Sequence, residues 1–485
     1  MGSGWSFNYD SLDRLEGIHY GNGVQTTYAY DCDGNISHLE TKTESAVLLS
    51  FSYQYDGNGN RTAKTGTQGL TAGSSALQPA AIDISYRYDV RGQLLEERRN
   101  NMPVCYKYDA AGNRIRKTEG EKETRYHYNA KNQLICEENA GGIKSFTYER
   151  QGGIVEEKGQ TGPRRFTYNS RHQQTRVETE TGNIQENQYD AEGLRYELLE
   201  NGRRTSFVYH NGELLHEKGG ETGLSGEEKS YHLGTGIEAL HIGHKTVYFH
   251  KDEQLSISLI LGENGELKNQ YQYDAFGAGL EALEEFPNRI RYTGQQYDQL
   301  TGQYYLRARY YNPVLGRFMQ EDVYQGDGLN LYAYCKSNPV IYYDPSGYDS
   351  GYYFRGDVDY DIRRKPPVGL PIGSSADIMN PYDHVMNKRS GQSSIFTSFA
   401  TLISTKFTKG DENKVYKVSV KELEKLQQQG IIKIYDVNNV GDLMKDRSSR
   451  DVAHVKENMK KNNEILIEGE IPGEVMKPTN CKKRR

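Results

Sequence analysis

Few residues of this chain are grouped for chemistry. No His-Glu-x-x-His, P-loop or His-Asn-His pattern occurs, and the lone His384 and His454 suit surface or loop roles. What remains lies in two places. Past the middle stand Asp322, Asp327 and Asp344. Nearer the C-terminus stand an arginine in Phe354-Arg355-Gly356-Asp357 and hydroxyls in Ile395-Phe396-Thr397-Ser398-Phe399-Ala400-Thr401. They are followed by carboxylates in Asn462-Asn463-Glu464-Ile465-Leu466-Ile467-Glu468-Gly469-Glu470. An arginine offers two parallel donors to phosphate or ribose oxygens. A fixed carboxylate stabilises positive charge that develops in a transition state. Each piece also has an ordinary use. Aspartates cap turns, Arg beside Gly-Asp forms a surface ion pair, and Thr-Ser sits in any strand.

Composition indicates the elements that must hold these groups. Hydrophobic residues make up 35% and charged residues 26%, low for large conventional cores, while Tyr reaches 39 and Gly 51. Tyr favours pleated, half-buried surfaces and Gly favours turns, so many short strands are expected. Charge is uneven. Residues 1–348 carry 36 Lys+Arg against 47 Asp+Glu, a net of −11, whereas 349–485 carry 24 against 19, a net of +5. This suits a basic effector held by an acidic container, or two independent domains of ordinary charge. A net of +5 is too modest to argue nucleic-acid binding alone. Cys32, Cys105, Cys136, Cys335 and Cys481 have no metal-ligand spacing and read as free thiols of a reducing cytoplasm. No apolar run is long enough to span a membrane, and Met1-Gly2-Ser3-Gly4-Trp5 lacks a signal-peptide pattern. The chain opens within a repeat, as a fragment or a short gene product would.

The repeat is Tyr-x-Tyr-Asp followed by Gly-Asn or a variant. Clear copies are Tyr28-Ala29-Tyr30-Asp31, Tyr53-Gln54-Tyr55-Asp56, Tyr86-Arg87-Tyr88-Asp89, Tyr106-Lys107-Tyr108-Asp109 and Tyr271-Gln272-Tyr273-Asp274. From Tyr88 to Tyr209 the step is 20 or 21 residues, which marks a repeat architecture. Alternation puts both Tyr rings on one sheet face. The Asp and Gly-Asn make the turn, with Gly or Asn at positive φ. Each hairpin cannot bury its own face, so neighbours must pair into a strip. Core stacking is the expected use of the tyrosines, with carbohydrate binding the alternative.

Residues 291–347 break the repeat. Arg291-Tyr292-Thr293-Gly294, Tyr304-Tyr305-Leu306-Arg307-Ala308-Arg309-Tyr310-Tyr311-Asn312-Pro313, Gly316-Arg317-Phe318, Asn330-Leu331-Tyr332, Asn338-Pro339 and Asp344-Pro345-Ser346-Gly347 follow in fixed order. This stretch resembles the closing core of Rhs/YD-repeat proteins, the shells of bacterial polymorphic toxins. The resemblance implies a hollow β-shell ending at Asp-Pro-x-Gly, with a variable toxin after it. About 290 residues of repeat are short for full enclosure, so an incomplete shell or closure with other chains is expected. Such shells release the toxin by self-cleavage near Asp-Pro-x-Gly, using aspartates that share a proton to activate water. Asp322, Asp327 and Asp344 are then the candidates. A cut near Tyr348 would free residues 349–485.

The tail reads as an α+β domain. Strands are expected at Tyr352–Arg355, Val415–Val418, Ile431–Tyr435 and Glu464–Glu468. Helices are expected after the Ser419-Val420-Lys421-Glu422 capping box and over about 449–461. Its three motifs resemble, in this order, the ADP-ribosyltransferase toxins with an Arg–Ser–Glu active site. The resemblance implies NAD as substrate, with Arg355 on its phosphate or ribose and Thr397 and Ser398 fixing that Arg and the nicotinamide pocket. Glu464 would stabilise the oxocarbenium-like transition state. Ile465-Leu466-Ile467 behind it favours that choice, while Glu468-Gly469-Glu470 makes Glu470 the competitor. The residue two before the Glu steers the acceptor in that family: Asn462 beside Glu464, or Glu468 beside Glu470, the latter an arginine-modifying pattern.

The expected protein is therefore mainly β, with a YD-repeat β-hairpin strip or shell over 1–290, an Rhs core over 291–348 and a small α+β toxin over 349–485. It would be made in a bacterial cytoplasm and delivered by secretion machinery. It would transfer ADP-ribose to a macromolecule of a recipient cell and be neutralised by a cognate immunity protein. A nuclease toxin on the same shell and a non-enzymatic YD-repeat adhesin are the alternatives.

Overall fold

A computed structural model describes residues 4–69, 80–220, 228–323 and 330–348 in full. Beyond them it describes the backbone of short strands at Tyr352–Tyr353, Thr397–Ala400, Tyr416–Lys417, Lys433–Tyr435, Glu464–Glu468 and Lys477–Pro478. The chain divides into two compact units. The larger runs through Phe354, and Arg355–Arg485 belong to the other with the turns at Asp10–Arg14 and Tyr30–Asn35. The expected helices after Ser419 and over 449–461 lie outside the described residues.

The larger unit is built on one 26-stranded sheet of antiparallel hairpins from Trp5–Tyr9 to Gly279–Glu284. Among the described residues no pairing joins its first strand to its last. The repeat explains each hairpin. In Tyr106-Lys107-Tyr108-Asp109, Tyr106 is buried while Lys107 is exposed. The Asp109 carboxylate and carbonyl then hold the turn: Oδ1 accepts from Asn113 N at 2.9 Å and the carbonyl from Gly112 N at 3.1 Å. Gly112 takes φ +80°, Asn132 takes +61°, and at the matching place His172 takes +64°.

The second tyrosine of the motif has a use that alternation alone does not disclose. Tyr128, Tyr148 and Tyr168 each donate their hydroxyl to the carbonyl 14 residues earlier, Arg114, Leu134 and Ile154, at 2.8–2.9 Å. The ring packs and the hydroxyl ties one hairpin to the preceding one. Tyr168→Phe keeps the ring and removes the tie, so a loss of about 1 kcal/mol is expected in denaturant unfolding.

The strip folds back on itself. Tyr20 donates to Glu238 at 3.1 Å, Tyr53 to Glu253 at 2.6 Å, and the Glu97 carboxylate accepts from Ala275 N at 2.9 Å. Residues 291–323 and 330–343 then pack on the strip, the first of them on the middle hairpins. Tyr305, Tyr310, Leu315 and Met319 share a core with Tyr126, Phe146, Phe166 and Val177. The deepest join is ionic. Arg195 and Asp298, both fully buried, meet at 2.5 and 3.0 Å.

Candidate functional site

Two of the three candidate aspartates converge at the end of the shell. The strands Gln303–Leu306 and Arg309–Asn312 form a tight hairpin whose two central residues are Arg307 and Ala308, with Arg307 at φ +59°. The Asp344-Pro345-Ser346-Gly347 turn docks on it, Ala308 N donating to the Ser346 carbonyl at 3.1 Å. Asp344, fully buried, organises that turn: its Oδ1 accepts from Ser346 N at 3.1 Å and Gly347 N at 2.8 Å. Gly347 has φ +70°, and a Cβ there would run into the Leu306 carbonyl. Glycine is required on both counts.

Arg309 joins the parts. Its Nε donates to the Gly347 carbonyl at 2.5 Å and its Nη1 to the Leu331 carbonyl at 3.1 Å. Its Nη2 lies 2.9 Å from Asp322 Oδ2 and 3.7 Å from Asp344 Oδ2. The guanidinium lies 3.6 Å from the centre of the Phe318 ring, and Asp322 N donates to the Leu331 carbonyl at 3.0 Å. Beside this cluster is a cavity of about 280 Å³, lined among others by Ala308, Arg309, Glu321, Asp322, Gly347 and Tyr348. The arrangement ties two carboxylates to one cation that also donates to the Gly347 carbonyl. Asp327 lies outside the described residues. Arg309 stood in the Tyr304–Pro313 run but received no role from sequence. The available signal was its place in a tyrosine-rich strand, since a buried guanidinium needs acidic partners.

The second unit is described through its strands. Thr397–Ala400 pairs antiparallel with Glu464–Glu468, Ser398 opposite Leu466 and Ala400 opposite Glu464. Lys433–Tyr435 pairs with the other edge of Glu464–Glu468, Lys433 opposite Glu468. Thr397, Ser398, Glu464 and Glu468 are thus brought into one three-stranded sheet, and Ser398 and Glu464 stand two register positions apart, in phase with the pleat. Arg355, Asn462 and Glu470 lie outside the described residues. Among the described residues no group of three or more His, Cys, Asp or Glu side chains is arranged to hold a metal ion, and no helix is long and apolar enough to cross a membrane.

Comparison with known proteins agrees with this architecture. The tRNA3(Ser)-specific nuclease WapA of Bacillus spizizenii is 37% identical over 172 residues, 33% of this chain and 7% of that protein. Toxin protein Tse5 of Pseudomonas aeruginosa is 35% identical over 104 residues, 21% of this chain and 8% of its own length. The chain thus spans a small part of the relatives it matches. The crystal structure of TcdB2-TccC3-TEV superposes with a TM-score of 0.57 at 19% identity, over 70% of this chain and 19% of that one, which speaks for the fold. The Teneurin YD-shell family model matches residues 71–343, more than half of the chain. With its hairpin strip and closing core, this chain belongs to the Teneurin YD-shell family.

Proposed function

We propose that this chain is a YD-shell toxin whose C-terminal segment, residues 349–485, transfers ADP-ribose from NAD to a macromolecule of a recipient cell. Delivery by secretion machinery and restraint by a cognate immunity protein belong to the same reading, as does self-cleavage at the Asp322–Arg309–Asp344 cluster. The toxin part is supported by the relatives Tse5 and WapA. The transferase part is carried by one observation: the Thr397–Ala400 strand pairs with Glu464–Glu468, so the hydroxyl and carboxylate motifs share one sheet. In this reading Arg355 binds the NAD phosphates or ribose, and Thr397 and Ser398 shape the nicotinamide side. Glu464 stabilises the charge that develops as nicotinamide leaves, with Glu470 the competing carboxylate. Asn462 or Glu468 then faces the acceptor.

The test is the full chain incubated with labelled NAD in a bacterial lysate, beside Glu464→Ala and Glu470→Ala. Label should pass to protein or nucleic acid and vanish in the Glu464 variant; loss only in the Glu470 variant reassigns the carboxylate. No transfer and no nicotinamide release from folded protein would sink the transferase. A second reading is a nuclease on the same shell, favoured by the likeness to WapA. In that case the same lysate shows cleaved RNA without label transfer.

A further inference from the structure

We propose that the join between the strands Trp5–Tyr9 and Leu15–Tyr20 and the strands Glu228–Gly234, Gly236–Ile242 and Lys245–Lys251 is an acid-released latch of the strip, worked by His250, His232 and His241. It stands apart from the transferase and self-cleavage readings. Aromatic rings of the early strands meet imidazoles of the later ones. Tyr20 lies edge-on to His250, with ring centres 4.5 Å apart. Trp5 lies edge-on to His232 at 5.6 Å, and His232 to His241 at 4.4 Å. Phe7 reaches Gly234, where a Cβ would run into its ring. Tyr20 also donates its hydroxyl to Glu238, 218 positions away in sequence.

This join suits neutral imidazoles. His250 has no exposure, and among the described residues neither ring nitrogen has a hydrogen-bond partner. A proton there would bury a cation beside Lys251 of its own strand. Leu259 stands opposite it on the neighbouring strand Ile257–Leu261 and offers no counter-charge. Glu238, the carboxylate beyond Tyr20, is already taken by Lys251 at 2.6 Å, Tyr20 at 3.1 Å, and the Thr235 N–H and hydroxyl at 2.9 Å. A buried charge without a partner is costly, so protonation favours parting of the two sets of strands. His232 and His241 act in the same sense, because protonating both sets two like charges side by side. The His241 ring otherwise meets the Thr246 hydroxyl, at 3.4 Å.

Opening takes up protons. Burial, then Lys251, lowers His250 to about 3, and burial, then His241, also lowers His232. A histidine whose folded value lies below its free value of about 6.5 gains its proton on release. The latch is therefore closed above about pH 6.5 and loosens as pH falls below it. His250 alone raises the opened fraction about 30-fold between about pH 7.5 and pH 5. The signal is a proton, so the setting in which the latch works is an acidic compartment.

The experiment is hydrogen exchange of the full chain at about pH 7.5 and pH 5, each corrected for the chemical exchange rate at that pH. Thr235 N, bonded to Glu238, and the amides of Trp5–Tyr9 should exchange about 30-fold faster at the lower pH. The hairpins over 122–168 should keep their protection. Trp5 is the single tryptophan of the chain, so acrylamide should quench it more at the lower pH. His250→Phe keeps a packed ring that cannot titrate, and the acid response should shrink at least tenfold. Unchanged protection of the wild-type join at pH 5 overturns the proposal. So does a His250→Phe chain that loosens as the wild type does, or loss of protection over 122–168 in step with the join, which is global unfolding. If His250→Phe fails to fold, the double variant His232→Gln/His241→Gln decides: its gain in Trp5 quenching should be smaller than that of the wild type, and an equal gain overturns the latch.

Discussion

Asp298→Ala is expected to cost the shell about 3–5 kcal/mol, the penalty for removing one partner of a buried ion pair. The reason is the number of groups it leaves behind. Asp298 receives Arg195 through two bonds, at 2.5 and 3.0 Å, Arg289 at 3.2 Å and Gln185 at 2.8 Å. Arg195 has no exposure, so its charge would stay buried against Tyr305 and Phe207. Denaturant unfolding of the full chain should show a lowered midpoint. A midpoint within error of the wild type would mean that the pair closes nothing.

The same pair sets an acid limit. Burial alone would raise the Asp298 carboxyl, but the attraction and hydrogen bonds of Arg195 outweigh it and hold the carboxyl below its usual range. A depressed carboxylate contributes stability that is present above its unfolded value of about 3.9 and lost as pH falls through its folded value. His250 acts earlier. Burial, then the neighbouring Lys251, lowers its imidazole to about 3, against about 6.5 when unfolded. The fold requires it neutral, so stability should begin to fall below about pH 6.5. Two acid phases are expected in unfolding against pH, and Asp298→Ala should shrink the lower one, which Glu253, held down to about 2 against burial by Arg61 and Lys64, also feeds.

Gly347→Ala is the second large effect, expected to cost about 2–4 kcal/mol locally. A left-handed backbone charges a non-glycine residue about 1–2 kcal/mol. The new Cβ would also press on the Leu306 carbonyl and on the backbone nitrogens of Arg309 and Ala308, a contact that only movement of the hairpin relieves. The Asp-Pro-Ser-Gly turn should detach from that hairpin. Hydrogen exchange at Gly347 N and Ala308 N, both bonded in the native turn, should rise while exchange in the repeat strands stays unchanged. Unchanged protection at these amides would show that the turn tolerates a side chain.

The chain by itself determined the repeat. Strand alternation and turn chemistry are local, so Tyr106-Lys107-Tyr108-Asp109 announces a buried ring, an exposed lysine and a turn whatever the rest does. The closing core was legible only through its resemblance to Rhs/YD-repeat proteins, a run of residue types in order with Asp-Pro-Ser-Gly at its end. Local readings missed the second tyrosine's bond to the preceding hairpin, because a partner 14 residues away is defined only once the strips pair. The same holds for the acid and base pairs. Asp344 read as either a turn cap or a reactive carboxylate, and the fold shows the cap: Oδ1 holds the turn while Oδ2 faces Arg309. Nothing local to Asp298 pointed to Arg195, more than a hundred positions earlier, nor local to Gly347 to Arg309. Charges that are costly to bury must find each other across the fold. Which of them meet was therefore decided by the tertiary structure alone.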